Sequence, residues 1–200
     1  MDQNVILVET VPLEFDLESL GCRLRIRPGQ TKFMDRLSRL AEEAARVARP
    51  KAVARLCGLT ILDEEKVQVG EVTFSSPLLR QKMDGLGRAF PYLASEGTEL
   101  ADWSLSLSSS LEQVFASALR EVAVQQAENL LERTLLERYG IAQVSAMNPG
   151  SLKVWSLEEQ VPLFELLAPL PEKLGVTLLP SLMMRPEYSV SGVFFQTDSK

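Results

Sequence analysis

The chain has 200 residues, of which 46% are hydrophobic and 24% are charged, and none is histidine. This length and composition are typical of a folded domain with its own core. The net charge of −6 argues against binding to duplex nucleic acid, because proteins neutralise phosphates with a basic surface. Without histidine the chain lacks the commonest metal ligand and the usual general base at neutral pH.

The sequence also predicts where the protein resides. Its first residues carry an acid at position 2 and no basic segment, which is not the pattern of a signal peptide. No window approaches ~18 consecutive apolar residues, so we expect no contact with a membrane. Cys22 and Cys57 cannot close a tetrahedral zinc site alone, and the apolar neighbours of Cys57 predict a buried thiol. These features predict a cytoplasmic protein.

The first predicted elements are strands near the N-terminus. Pro12 interrupts the apolar segment 5–15, which favours an edge strand or an arm over a central strand. Arg23, Arg25 and Arg27 alternate with aliphatic residues, so on a strand their guanidinium groups would share one face. That face is either a solvated sheet surface or a strip that binds a carboxylate, a phosphate tail or an acidic partner.

A helix and a hairpin are predicted next. Apolar residues at helical spacing predict a helix over 31–48, which Pro50 ends. Residues 52–62 predict a mostly buried strand. A polar turn at 63–65 then leads into a second strand, and this is a hairpin pattern.

The following segment contains the longest predicted helix. Ser76 followed by Pro77 predicts the start of a short helix, and residues 89–93 predict a strand. Residues 110–139 carry a long apolar face, and Gly140 supplies a left-handed stop. We find no internal repeat or linker, so we predict a single domain over residues 1–200, with residues 1–30 as an arm or edge strands.

The last quarter of the chain carries the most distinctive pattern. A short strand over 142–147 leads into Asn148-Pro149-Gly150-Ser151. Proline fixes φ and glycine adopts angles barred to other residues, so this turn can present backbone groups to a ligand. Most Pro-Gly turns, however, only reverse the chain.

Further signals follow the Pro-Gly turn. Ser156 and Glu159 have the spacing of a capping box, which predicts a helix over the apolar residues to 167. We interpret Trp155 as a core or lid aromatic, or as a hydrophobic staple. A strand is predicted over 175–179. The small residues Ser189, Ser191 and Gly192 either allow close approach of backbone or ligand or pack tightly under a helix.

The order of these segments resembles the activation domain of cobalamin-dependent methionine synthase and its free-standing relatives. The similarity is strongest over 145–196, where PGSLKVWSLEEQVPLFELL precedes LGVTLLPSLMMRPEYSVSGVFF. It is weaker over 49–100, where RPKAV, VTFSSPLL and SEGTEL occur in the same order. The resemblance implies an α+β fold, a twisted antiparallel sheet flanked by helices.

The resemblance also implies a function. The family's domain holds S-adenosylmethionine over the corrin ring during reductive reactivation of cobalamin, with an electron from a flavoprotein or iron–sulfur donor. It therefore implies an accessory module that positions S-adenosylmethionine or docks a corrinoid protein or cobalamin-dependent methyltransferase. Cobalamin would be reached through that partner. This work is positioning, so the resemblance requires no catalytic side chain of the chain's own.

The resemblance places the ligand-binding positions at Ala146, Asn148, Pro149, Gly150 and Ser151. Longer family members have arginine where this chain has Ala146 and tyrosine where it has Ser151. That arginine pairs with the ligand's carboxylate, and losing such a bond typically costs ~1.5–3 kcal/mol.

Two further hypotheses stay open. A degenerate module would bind no S-adenosylmethionine and would dock a corrinoid protein through the Pro-Gly rim or the arginine strip. An unrelated enzyme would use carboxylates such as Glu96 and Glu99, although nothing in the sequence pairs those acids with a nucleophile or a metal.

Overall fold

The computed structural model describes residues 3–151 and 154–197, and an antiparallel sheet forms its centre. The strands are β1 (Val5–Val8), β2 (Lys51–Arg55), β3 (Cys57–Ile61), β4 (Lys66–Val69), β5 (Val72–Ser75), β6 (Arg88–Ser95), β7 (Val144–Met147), β8 (Thr177–Leu178), β9 (Met184–Arg185) and β10 (Ser189–Gln196). Eight of them form the main sheet, and β8 pairs with β9 in a separate hairpin.

The strand β6 lies in the middle of the main sheet. It pairs with β10 on one side and with β2 and β3 on the other, and β10 pairs in turn with β7. The sheet extends from β2 to β1 and from β3 through β4 to β5. Each of these pairs is antiparallel, which confirms the sheet that the sequence predicts.

Helices cover both faces of this sheet. They are α1 (Leu17–Arg23), α2 (Thr31–Val47), α3 (Pro77–Lys82), α4 (Thr98–Ser106), α5 (Ser110–Tyr139), α6 (Gln160–Leu167) and α7 (Leu170–Leu174). The α+β class expected from the sequence is therefore confirmed. No helix in the described part of the chain is long and apolar enough to cross a membrane.

The core has three parts. The C-terminal half of α5 packs Leu131 and Leu135 against Phe90 and other residues on one sheet face. On the opposite face Trp155 and the apolar residues of α6 and α7 pack against the sheet. The N-terminal half of α5 packs with α1, α2 and α4 in a third cluster. Because both halves of α5 contribute to these clusters, the helix is packed along its whole length. Burying each large apolar side chain stabilises the fold by roughly 1.5–3 kcal/mol.

Several helix boundaries follow the sequence signals. The helix α2 ends before Pro50, and Ala48 N–H still donates to the carbonyl of Ala44. Ser76 caps α3, because its Oγ accepts from Leu79 N–H at 3.1 Å. Gly140 follows α5 with φ of 62°, the left-handed conformation that its position predicts.

The expected strand carrying three arginines is wrong. Asp16 caps α1 there, with its Oδ1 accepting from Ser19 N–H at 3.0 Å, and Arg23 is the last residue of that helix. Arg25 has a φ of 57°, which no strand residue adopts. Arg23 forms an ion pair with Glu121 of α5 at 3.0 Å. Its guanidinium therefore holds α1 against α5 instead of joining a strip.

Other element boundaries also differ from the sequence prediction. The strand expected over 52–62 is split at Leu56, whose N–H donates to Asn4 O at 2.7 Å. The helix α4 was not expected, and the strand expected over 175–179 is reduced to the two residues of β8. The start of the α6 region is a 3-10 turn over Leu157–Glu159.

The capping box at that turn is incomplete. Ser156 Oγ accepts from Glu158 N–H at 3.3 Å instead of from Glu159 N–H. The Glu159 carboxylate accepts from Ser75 N–H at 3.1 Å, on β5. Glu159 therefore ties the start of this helix to β5 instead of closing the capping box.

Candidate functional site

The Pro-Gly loop leaves the sheet at the end of β7 and is closed by its own hydrogen bonds. Gly150 has a φ of 79°, and its N–H donates to Trp155 O at 2.9 Å. The N–H and the hydroxyl of Ser151 both donate to Asn148 O, at 3.2 and 2.6 Å. The turn is therefore held in one shape, and the N–H groups of Gly150 and Ser151 already have acceptors within the chain.

Asn148 is the centre of a side-chain hydrogen-bond network. Its Nδ2 donates to Tyr92 OH and to Ser191 O, both at 2.8 Å. Tyr92 OH in turn donates to Glu128 Oε1 on α5 at 2.7 Å. The network therefore joins the loop to β6, to β10 and to the long helix. Through Tyr92, the position of the loop is linked to that of the Glu128 carboxylate.

The tyrosine of this network acts as a fixed neutral donor. Its ring stacks on Phe194 with centroids 3.9 Å apart, which fixes the direction of its hydroxyl. Burial raises the pKa of Tyr92 well above its usual value, and the nearby Glu128 carboxylate raises it further. The phenol therefore stays protonated throughout the physiological range and keeps donating to Glu128.

Gln160 extends the network on its other side. Its Nε2 donates to Ser191 Oγ at 3.3 Å, while its buried Oε1 has no hydrogen-bond donor among the described residues. The side chain is 5% exposed. An acceptor buried without a partner costs ~1–3 kcal/mol, so Gln160 Oε1 is a point where a water or a ligand donor would be stabilising.

Trp155 belongs to the core beneath the loop. It is fully buried and packs edge-on against Phe74, with ring centroids 5.7 Å apart. This confirms its interpretation as a core aromatic. Its Nε1 has no acceptor among the described residues. The adjoining residues 152 and 153 lie outside the described part of the chain.

A glycine on β10 allows Asn148 to take this place. A Cβ atom on Gly192 would lie 2.4 Å from Met147 O and 2.6 Å from Asn148 Nδ2. Distances under 3.0 Å do not occur for real Cβ atoms, so the site requires glycine here. The close approach expected from the small residues of β10 is therefore an approach of backbone and of Asn148.

The remaining predicted site residues lie around this network. Pro149 is buried, whereas Ser151 is exposed next to it. Ala146 is exposed on β7 and lies opposite Phe194 in the β7–β10 pairing. Directly opposite residues point to the same face, so Ala146 shares the face of Phe194 and Tyr92. The structure thus brings all five predicted positions to one end of β7.

Glu128 is the residue that the sequence analysis missed. It is half-buried on α5, a helix with several other glutamates, and nothing in the helical pattern singles it out. The structure places it one residue after the buried Ala127, at the edge of the packed face of α5. The structure places its carboxylate one hydrogen bond from Tyr92 and two from Asn148.

The alternative carboxylate site does not form around Glu96 and Glu99. The fully buried Glu96 makes a bidentate pair with Arg120, at 2.6 and 2.7 Å. Glu99 is exposed and accepts from Thr98 Oγ1 at 3.3 Å. In residues 3–151 and 154–197 no group of three acidic or cysteine side chains could hold a metal ion. The two acids therefore serve separate local structures.

These features define an α+β domain in which an antiparallel sheet carries a loop-centred polar network at the end of β7. Its fold is that of a domain of known structure, the MetH reactivation domain solved in a crystal structure with AdoHcy bound. The two chains superpose with a TM-score of 0.66 and 17% sequence identity, covering 98% of this chain and 79% of that one. No protein-family model matches the sequence, and no curated protein matches it.

Proposed function

We propose that this chain is an accessory module for a cobalamin-dependent methyltransferase of the methionine synthase type. In this proposal the Asn148 loop positions S-adenosylmethionine toward a corrinoid protein, and cobalamin is reached through that partner. A flavoprotein or an iron–sulfur protein supplies the electron. The observation that carries the proposal is the Glu128–Tyr92–Asn148 network beside the Pro-Gly turn, on a fold whose solved neighbour holds AdoHcy.

The network fits one end of the ligand. S-adenosylmethionine carries an ammonium group, a carboxylate and a methylsulfonium, and it supplies the methyl group when bound. The Glu128 carboxylate, held by Tyr92 OH, is the acidic acceptor that an ammonium group requires.

The carboxylate end of the ligand lacks its expected partner. Ala146 and Ser151 supply neither a guanidinium nor a phenol at the positions where the resemblance expects them. A missing charge-assisted hydrogen bond lowers affinity roughly ten- to a hundredfold. We therefore expect weak binding by this sequence, and stronger binding when those two side chains are restored.

Calorimetric titration of S-adenosylmethionine and of AdoHcy tests the proposal. The variants are Ala146→Arg with Ser151→Tyr, and the same pair with Glu128→Gln. The restored pair is expected to bind roughly ten- to a hundredfold more tightly than the natural sequence, and Glu128→Gln is expected to remove about tenfold of that gain. Glu137→Gln is the control, because Glu137 is an exposed carboxylate near the C-terminal end of the same helix.

Two results would overturn positioning of the methyl donor. One is absence of binding by the natural sequence at millimolar ligand, whether or not the restored pair binds. The other is an equal effect of Glu128→Gln and Glu137→Gln, which would leave the network without a part in binding.

A second function is favoured by the exposed apolar side chains near the loop. Val154, Leu157 and Val161 are 46%, 42% and 42% exposed, and Leu157 lies against Gly150. The N–H groups of Gly150 and Ser151 already donate to acceptors within the chain. The Pro-Gly rim, formed by the loop and these three apolar side chains, therefore suits contact with a protein as well as with a ligand. In this alternative the chain docks a corrinoid protein and binds no S-adenosylmethionine.

Titration with S-adenosylmethionine separates the two functions, and capture of purified corrinoid proteins from the same cell tests the docking surface. Val161→Glu is expected to abolish capture, because a buried charge at the contact is strongly unfavourable. Val114→Glu, which charges an exposed valine on α5, is the control and is expected to leave capture unchanged. Replacing Arg23, Arg25 and Arg27 with serine is also expected to leave it unchanged, since those residues form no common strip. Unchanged capture by Val161→Glu would exclude the rim.

A further inference from the structure

A cavity of about 500 Å³ lies between α4 and the β8–β9 hairpin, apart from the Asn148 loop. Leu105, Met183 and Met184 form much of its apolar wall. Leu105 is 79% exposed and Met183 is 55% exposed, so both would lose contact with water if the cavity were filled. Small-molecule sites typically have volumes of ~300–1,000 Å³ with mostly apolar walls and a few polar groups.

A buried guanidinium lines this cavity. Arg120 has a side chain that is 10% exposed, and its Nε and Nη2 donate to Glu96. Its Nη1 makes no hydrogen bond to the described residues, and the nearest carboxylate oxygen is Glu187 Oε2 at 3.9 Å. A guanidinium nitrogen that has no acceptor among the described residues can donate to a ligand without breaking an existing hydrogen bond. Arg120 Nη1 is therefore ready to donate to an anionic group in the cavity.

The charges around the cavity are balanced. Arg120 and Arg185 are the cations of the lining, and Asp102 and Glu187 are its carboxylates. A simple anion would meet Glu187 beside Arg120 and be repelled by it. A zwitterion would not, because its ammonium group can face Glu187 while its carboxylate faces Arg120.

We propose that this cavity binds a free α-amino acid with an aliphatic side chain. In such a molecule one carbon joins the ammonium and carboxylate groups, which matches the 3.9 Å between Arg120 Nη1 and Glu187 Oε2. The carboxylate accepts from Arg120 and the ammonium donates to Glu187. The aliphatic side chain covers Met183 and Met184. The inference does not depend on the function proposed for the Asn148 loop.

Methyl NMR of methionine-labelled protein during titration with L-leucine tests the inference. Saturating shifts are expected for the Met183 and Met184 methyl groups, while the buried Met83 serves as an internal reference. Met147, next to Asn148, reports on the other site. Absence of shifts at millimolar leucine, or shifts at Met147 alone, would overturn the inference.

Ligand analogues and variants then test each contact. Removing one charge from leucine gives 4-methylpentanoate or isoamylamine, and each is expected to bind at least tenfold more weakly than leucine. Glu187→Gln is expected to weaken leucine about tenfold and leave 4-methylpentanoate unchanged or tighter, because only the ammonium loses its partner. Equal binding of leucine and 4-methylpentanoate would show that no ammonium is recognised and would overturn the proposal.

A matched pair of surface variants tests the apolar wall. Met183 and Val114 are each 55% exposed, and only Met183 lines the cavity. Met183→Glu is expected to lower leucine affinity at least tenfold, and Val114→Glu to leave it unchanged. Unchanged affinity in Met183→Glu, with both variants folded by circular dichroism, would count against the site.

Discussion

Gly192 on β10 lies so close to Asn148 that a side chain at position 192 would overlap with the asparagine. A Cβ on residue 192 would lie 2.6 Å from Asn148 Nδ2 and 2.4 Å from Met147 O. The same asparagine nitrogen donates to Ser191 O and Tyr92 OH. The position of the Pro-Gly loop therefore depends on the close pairing of β7 with β10.

Replacing Gly192 with alanine is expected to destabilise the protein by about 1–3 kcal/mol. The added methyl group meets backbone and Asn148, so β7 must move away from β10. Urea unfolding measures the loss, and amide exchange of β7 is expected to rise with it. Gly58→Ala is the matched control on another strand, because no atom lies within 4 Å of its Cβ position. Equal stability of the two variants would contradict the close contact.

The hydrogen bond between Asn148 and Tyr92 is expected to appear as a coupling energy. Asn148→Ala leaves Ser191 O and Tyr92 OH short of a donor and is expected to cost ~1–3 kcal/mol. Tyr92→Phe removes the hydroxyl and with it the hydrogen bonds to Asn148 and to Glu128. In a double-mutant cycle the two changes are expected to couple by about 0.5–3 kcal/mol, as side chains in one network do. Additive losses within about 0.3 kcal/mol would show that the network is not cooperative.

The sequence predicts elements whose signals are local. The helix α5 was predicted over residues 110–139 because its apolar face is long and Gly140 ends it. The cap of α3 by Ser76 follows from a serine before a proline. The turn after β7 follows from Pro149 and Gly150, and Gly150 has a φ of 79°; the ligand-binding role of this turn rests on the family resemblance and stays a prediction. In each case neighbouring residues alone decide the conformation.

The sequence fails where distant residues decide the conformation. Alternating arginines favour a strand, yet Asp16 caps a helix and Glu121 on α5 pairs with Arg23. The capping-box glutamate instead accepts from Ser75 on β5, 84 residues away. Glu128 becomes part of the candidate site only because α5 packs across β6. Such contacts depend on the tertiary arrangement, which the local pattern does not contain.

Removing one partner of the Glu96–Arg120 pair is expected to destabilise the folded protein strongly. Arg120→Met leaves a fully buried carboxylate without its cation and is expected to cost about 3–5 kcal/mol. Adding Glu96→Gln to that variant is expected to recover most of the loss, since the buried charge is then removed. Urea unfolding measures both. A double variant as unstable as Arg120→Met alone would show that packing, not charge, sets the cost.

The same pair predicts a pH dependence. Burial raises the pKa of Glu96, and the Arg120 guanidinium opposes that rise. Without Arg120 the pKa rises further, so the folded state holds a proton that the unfolded state has released above about pH 4.5. The cost of Arg120→Met is therefore expected to grow as pH rises above the raised pKa that Glu96 has in the natural protein. A cost that is independent of pH would contradict this assignment.

Cys57 is expected to reduce stability in alkaline solution. Burial raises its pKa from 9.0 to about 11, so above pH 9 the unfolded chain loses a proton that the folded protein retains. Stability is therefore expected to fall between pH 9 and 11, by up to about 2–3 kcal/mol. Cys57→Ala removes the titrating group, and its free energy of unfolding is expected to fall less over that range.

Iodoacetamide is also expected to modify the exposed Cys22 long before Cys57. Equal alkylation rates would contradict the buried thiol.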